Sequence, residues 1–235
     1  MMLEKLRKQV CDANKLLSEY NLIILTWGNV SAFDPESLLM VIKPSGVSYD
    51  ELTPENMVIV DLNGHVVEGT LNPSSDTDTH LEMYKKYPQM GSIVHTHSTW
   101  ATIWAQMGRN IPPMGTTHAD DFGSDIPCTR KMTEEEIFSN YEQNTGKVIV
   151  ETLEARDIEK DFAILVREHG PFVWEKTPKK AVEKALVLEQ VAMMAWHSQM
   201  GNSEMRNMSP MLLKKHFERK HGKNAYYGQS APSGV

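Results

Sequence analysis

"NMVIVDLNGHVVEG" (56–69) holds two short runs rich in Val and Ile, joined by Leu-Asn-Gly at 62–64. Asn-Gly accepts the left-handed backbone that a tight reversal needs, so the runs 56–61 and 65–69 read as neighbouring antiparallel strands. A sheet built on this pair contains antiparallel ladders. Upstream, "LLMVIK" (38–43) is a further strand. Downstream, "DTHLEMYKKY" (78–87) reads as helix, "SIVHTH" (92–97) as strand and "TWATIWAQM" (99–107) as helix. "TEEEIFSNYEQNT" (133–145) is a helix whose acidic first turn suits the helix dipole. "KVIVE" (147–151) and "FAILV" (162–166) read as strands. Pro178 opens a long helix over 179–200, and a last helix covers 211–220. At the other end Leu3, Leu6, Val10, Ala13 and Leu17 recur at helical spacing. Strands and helices interleave without repeats or a low-complexity linker. That pattern predicts one α/β domain with a central mixed, largely antiparallel β-sheet flanked by helices.

The chain has 235 residues, room for one large domain or two small ones. Apolar residues make up 40% and charged residues 23%, as in ordinary globular proteins. No apolar run approaches the roughly 20 residues needed to cross a bilayer. The N-terminal stretch lacks a signal peptide's apolar block, and the expected location is cytoplasmic. A formal charge of −7 without a basic run argues against nucleic acid. A phosphorylated substrate would need a local positive site instead. Cys11 and Cys128 stand far apart, which suggests a reducing compartment and no disulfide.

His95 and His97 lie one residue apart in "SIVHTHSTW" (92–100). In an extended chain such residues point to the same side, so both imidazoles enter one space. A second strand, "FAILVREHGPF" (162–172), also runs out at a histidine, His169, just before a Gly-Pro pair read as a sharp turn. Three neutral imidazoles suit Zn²⁺ with an open position for substrate. Mn²⁺, Co²⁺ and Ni²⁺ suit the same donors. Asp76 in "NPSSDTDTH" (72–80) is a fourth candidate, with helix capping as its structural alternative. Trp100 and Trp104, at i and i+4, read as packing.

The segments "LTWGNVSA" (25–32), "VIKPSGVSYDELTPENMVIV" (41–60), "PSSDTDTH" (73–80), "IVHTHSTWATIWAQ" (93–106), "GTTHADDF" (115–122), "IPCTRKMT" (126–133) and "HGPFVWEK" (169–176) occur in one order. In that order they resemble the class II aldolase/adducin family. "THAD" (117–120) and "KHGKNAYYGQ" (220–229) are more similar to its sugar-phosphate 4-epimerase branch than to its fuculose- or rhamnulose-phosphate aldolases. The resemblance implies a catalytic domain over 1–229, a flexible tail over 230–235, and a homotetramer with active sites at subunit interfaces. It implies Zn²⁺ on His95, His97 and His169, with Asp76 as a further ligand. It implies a phosphate site drawn from Gly28, Asn29, Lys43, Ser45, Gly46, Ser74 and Ser75. Asp120 and Tyr227 match the family's acid–base pair, the tyrosine coming from a neighbouring subunit, and His216 matches a histidine near that site. Asp121 is a departure: the branch often carries an aromatic residue there.

The implied chemistry is cleavage and re-formation of a carbon–carbon bond in a ketose phosphate. Negative charge on the carbonyl fragment needs a metal ion or a Schiff-base lysine, and no lysine is singled out. A hydroxyl proton must be taken and returned, work suited to Asp120 and Tyr227. The phosphate must stay anchored, and the glycine- and serine-rich turns offer N–H and O–H donors for that. Three other readings remain open at this level. One is an aldolase that releases its fragments. The second is an adducin-like assembly domain, expected to lack the histidines. The third is an iron oxygenase with two histidines and a carboxylate, which leaves the turns unexplained.

Overall fold

The Leu-Asn-Gly turn reverses the chain as read. Asp61 Oδ1 accepts from the backbone N–H of Asn63 at 2.8 Å and of His65 at 2.9 Å, closing the turn from inside. The structure, a computed structural model, describes residues 2–205 and 207–227. The expected boundary at 229 and the tail 230–235 lie outside the described residues.

In chain order the elements are α1 (Glu4–Glu19), β1 (Asn29–Asp34), β2 (Leu39–Ile42), β3 (Val58–Asp61), β4 (Val66–Glu68), α2 (Thr77–Lys86), β5 (Ser92–His95), α3 (Thr99–Met107), α4 (Thr116–Ala119), α5 (Glu134–Phe138), α6 (Tyr141–Glu154), β6 (Ala163–Val166), β7 (Gly170–Glu175), α7 (Pro178–Gly201) and α8 (Pro210–His221). The seven strands form one sheet in the order β4-β3-β2-β1-β5-β7-β6. The α/β class and the flanking helices are as expected. Every ladder is antiparallel, and the parallel component of the expected mixed sheet shrinks to two isolated bridges, Gly91–Glu175 and Cys128–Leu165.

Both faces of the sheet are covered, which is why β2, β5 and β6 are buried along their whole length. On one face Val30, Val41, Ile59, Val94 and Leu165 pack under α1, α3 and α7. On the other, Met40, Ile42, Val58, Ile93 and Ile164 pack under α2 and α6. Trp104 is fully buried and donates its indole N–H to Ala192 O at 3.0 Å, a packing role as expected. No helix among the described residues is long and apolar enough to cross a membrane.

Three expectations need correction. "KVIVE" (147–151) is helix, in the middle of α6, and the helix expected over 133–145 breaks into α5 and α6 at Ser139 and Asn140. Thr145, Val148, Ile149 and Leu153 bury one face at helical spacing, and that packing overrides the strand preference of Val and Ile. Gly170 and Pro171 do not form the turn after β6; they open β7, and the reversal falls on Arg167–His169, with Glu168 at φ +64°. β1 is not among the expected strands and proves central, between β2 and β5.

Candidate active site

Three adjacent strands set out the first residues of the site. Asn29 of β1 lies opposite His95 of β5, which lies opposite Phe172 of β7. His95 is buried, its ring stacked on Phe172 with centroids 4.3 Å apart. Its Nδ1 is 3.0 Å from Pro171 O. A carbonyl only accepts, so Nδ1 carries the hydrogen and Nε2 is the nitrogen turned toward the other rings. That Nε2 lies 3.1 Å from His97 Nε2. His97 stands just past the end of β5, yet the two rings remain neighbours at 4.9 Å, as the one-residue spacing predicts. The tight β6–β7 turn delivers His169, 4.7 Å from the His95 ring and 5.0 Å from His97.

One nitrogen from each of the three imidazoles lies within 4.8 Å of the other two. Burial, reinforced by His95, lowers the pKa of His97 below its ordinary value. The same causes bring His169 down to about 3, with Asp76 pulling the other way. At neutral pH these rings offer lone pairs rather than charge. Convergent imidazole nitrogens, one ring pre-oriented by a backbone carbonyl, fit a divalent cation. The donor set does not select which one.

Asp76 precedes α2 but makes no side-chain cap there. Its Oδ2 instead accepts from Asn29 Nδ2 at 2.7 Å. Burial alone would raise its pKa, but His95, His80, His169 and the Asn29 hydrogen bond hold it below the usual carboxylate range. Asp76 therefore lines the histidine site as an anion, although the convergent set itself is the three imidazoles.

A cleft of about 510 Å³ opens over this cluster. His97, His169 and Asp76 line it, and so do all seven residues expected to hold phosphate: Gly28, Asn29, Lys43, Ser45, Gly46, Ser74 and Ser75. Gly28 sits at φ +104°, and a Cβ there would come 2.9 Å from His95 O, so the loop lies flat against the end of β5. Asn29 Nδ2 also donates to Ser74 Oγ at 3.1 Å, while its Oδ1 has no partner among the described residues. Lys43 is buried, donates to Pro44 O at 3.2 Å, and lies 4.9 Å from the Tyr49 ring centroid.

Sequence reasoning misses four features here. Trp27 lines the cleft, its ring 6.0 Å from His97. Tyr141 and Glu142, at the start of α6, also line it, and the Tyr141 hydroxyl is 3.5 Å from His169 Nδ1. Behind the site His80 is fully buried, with Nδ1 2.7 Å from Ser31 Oγ. Its place in the "DTDTH" helix follows from the sequence; its closeness to the site does not.

Asp120, His216 and Tyr227 form a second group, apart from this cleft within the chain. His216 Nδ1 is 2.9 Å from Asp120 Oδ1. Arg219 donates to Asp120 Oδ1 at 3.0 Å and Oδ2 at 2.7 Å. The same guanidinium lies 5.0 Å from the Tyr227 ring centroid. Partial burial would raise the Asp120 carboxyl, but Arg219 and His216 hold it below its ordinary value. Within one chain, Arg219 joins the Asp120 carboxylate and the Tyr227 ring into one group.

Residues 8–196 match the family model described as the class II aldolase and adducin N-terminal domain. The structure of an L-fuculose 1-phosphate aldolase is similar, with 26% identity and a TM-score of 0.76 over 90% of this chain and 95% of that one. YgbL from Klebsiella pneumoniae, named only as a candidate aldolase, epimerase or decarboxylase, shares the fold at 24% identity and a TM-score of 0.73, over 92% of this chain and 99% of its own. The l-fuculose-1-phosphate aldolase of Thermus thermophilus shares it at 22% identity and a TM-score of 0.65, over 87% and 99%.

Proposed function

The chain belongs to the class II aldolase and adducin family, and from that premise we propose that it is an L-ribulose-5-phosphate 4-epimerase. The observation that carries the reading is a single cleft lined both by metal-suited imidazoles and by a lysine set among Gly and Ser turns. C4 of the ketopentose phosphate bears no acidic hydrogen, because the carbonyl is at C2. Its inversion therefore needs the C3–C4 bond to break and re-form with the aldehyde turned.

His95, His97 and His169, with Asp76 beside them, would hold the metal, proposed as Zn²⁺. What such an ion supplies when bound is Lewis-acid stabilisation of charge developing on the carbonyl fragment. Lys43, Ser45, Ser74, Ser75 and the backbone at Gly28 and Gly46 hold the phosphate, with Asn29 beside them. That grip keeps the aldehyde from leaving while it turns. Asp120, kept ionised by Arg219, accepts the C4 hydroxyl proton for one epimer; the Tyr227 phenol serves the other face, with His216 beside them. Each such transfer contributes typically ~10²–10⁴-fold. None of this group lines the cleft, and the reading has a second copy of the chain supply it, in a homotetramer with shared sites. Trp27, which lines the cleft, and Leu25 two residues before it are 51% and 76% exposed and offer such a copy an apolar footing. The catalytic domain is taken as 1–229, in a cytoplasmic enzyme of pentose (arabinose-type) catabolism.

An aldolase that releases its fragments is the second reading, favoured by the 26% identity to an L-fuculose 1-phosphate aldolase. One experiment separates them. Metal-loaded protein is incubated with L-ribulose 5-phosphate, with and without chelator. Chelator-sensitive formation of D-xylulose 5-phosphate is the expected result. Accumulating glycolaldehyde phosphate would assign the aldolase, and neither product from folded, metal-loaded protein would overturn the epimerase and leave a different ketose phosphate as the substrate.

A further inference from the structure

The acid–base group rides on α8 and the residues after it, and α8 has little apolar hold on the body. Phe217 is its only buried side chain among the described residues, while Met211 and Leu212 face outward. Polar contacts do most of the joining: His216, Arg219 and His221 of α8 reach Asp120, and Lys220 reaches Asp121, where a second lysine from the body also arrives. Lys220 Nζ donates to Asp121 Oδ1 at 2.9 Å and to Oδ2 at 3.0 Å. Lys184 Nζ donates to the same Oδ1 at 2.9 Å and to Asp121 O at 3.1 Å. Lys184 projects from α7 and is 5% exposed, its ammonium 4.6 Å from the Phe162 ring centroid and 3.9 Å from Glu175 Oε1. A buried ammonium is costly unless paired, so this contact is not a loose surface bridge. α7 in turn packs on β5 and β7, the strands that set His95 and His169 in place. One carboxylate thus links the loop after α4, the long helix behind the sheet, and the C-terminal helix.

We propose that Asp121 is a positioning residue: through Lys184 and Lys220 it fixes α8, and so sets His216, Arg219 and Tyr227 against Asp120. It touches no substrate. The inference rests on the reading of Asp120 and Tyr227 as the acid–base pair.

The test uses the metal-loaded enzyme with Asp121→Asn, Lys220→Met and Asp121→Glu, and Tyr227→Phe as reference. Small misplacement of a reacting group costs turnover more than binding, so kcat should fall roughly tenfold in Asp121→Asn and Lys220→Met, with KM and metal content within about twofold. Asp121→Glu, which keeps the charge, should recover most of the loss. Hydrogen–deuterium exchange should quicken over 210–227 in the first two variants and stay unchanged over 92–95 and 170–175. Lys220 is 33% exposed, so its variant carries the test if Asp121→Asn does not fold. Impaired Tyr227→Phe with normal kcat in both pin variants overturns the pin alone. Wild-type turnover in Tyr227→Phe overturns the acid–base reading and the pin with it. A loss expressed only in KM also overturns the pin.

Discussion

Lys43 is 2% exposed on the wall of the cleft, and among the described residues no carboxylate comes within ion-pair distance of it. Burial lowers its pKa to about 8. A lysine kept dry without a counter-charge is poised to take an anion, because binding repays its lost hydration. The sign follows directly: the ammonium is present below about pH 8 and is lost as pH rises through that value. KM for the sugar phosphate should therefore climb from pH 7 to pH 9 while kcat changes less. Lys43→Met should raise KM at pH 7 by roughly tenfold or more, the worth of a charge-assisted hydrogen bond, and should flatten the pH dependence. Steady-state kinetics across that range checks both. A flat wild-type KM would remove Lys43 from the phosphate site. Lys43 is legible through the family resemblance, to which the Gly- and Ser-rich turn beside it adds; His95 and His97 are legible from strand spacing itself. Tyr141 and Glu142 are not, because they enter the cleft from the first turn of a helix whose start the sequence hides.

That helix, α6, shows how an element can defeat its own propensities. Gly146 stands at its middle, where glycine costs about 1 kcal/mol relative to alanine. A Cβ there would lie 2.6 Å from Glu82 Cβ and 2.9 Å from Thr79 O, so α2 and α6 are as close as backbones allow. Thr79 Oγ1 also donates to Glu142 O at 2.7 Å, tying the first turn of α6 to α2. Propensity alone says that Gly146→Ala stabilises; packing says the reverse, and overpacking costs about 1–3 kcal/mol. Packing should win, with a net loss of roughly 1–2 kcal/mol, read as a lower denaturant midpoint at unchanged slope. A raised midpoint would show that the helices part easily. The same contact explains the misreading of "KVIVE" as strand. Val and Ile favour strands locally, and only the neighbour across the gap makes 145, 148, 149 and 153 a buried helical face. β7 is hidden by the opposite bias, since Gly-Pro speaks for a turn and here begins a strand. The hairpin at 58–68, the helix at 99–107 and the strand at 163–166 need no such partner, and stand where the sequence puts them.

At the scale of the whole molecule the question is which chain completes the cleft. The imidazoles, Asp76 and the residues proposed to hold phosphate line one cleft, while Asp120, His216, Arg219 and Tyr227 form a separate group. If neighbouring subunits build each site from one group apiece, inactive variants should complement by group and not by residue. His97→Ala spoils the first group and Tyr227→Phe the second, so mixed oligomers of the two should regain activity. In a random equimolar mixture about one site in four would draw both halves intact. Asp120→Asn mixed with Tyr227→Phe should regain nothing, because both changes strike the same group and every site inherits one of them. Co-expression with two tags, purification of the doubly tagged oligomer and an epimerisation assay checks both pairs. Recovery in the second pair would mean that Asp120 and Tyr227 serve different sites, against the tie that Arg219 makes between them. Recovery in neither would place the whole reaction within one chain, and would require α8 to swing its residues onto its own cleft.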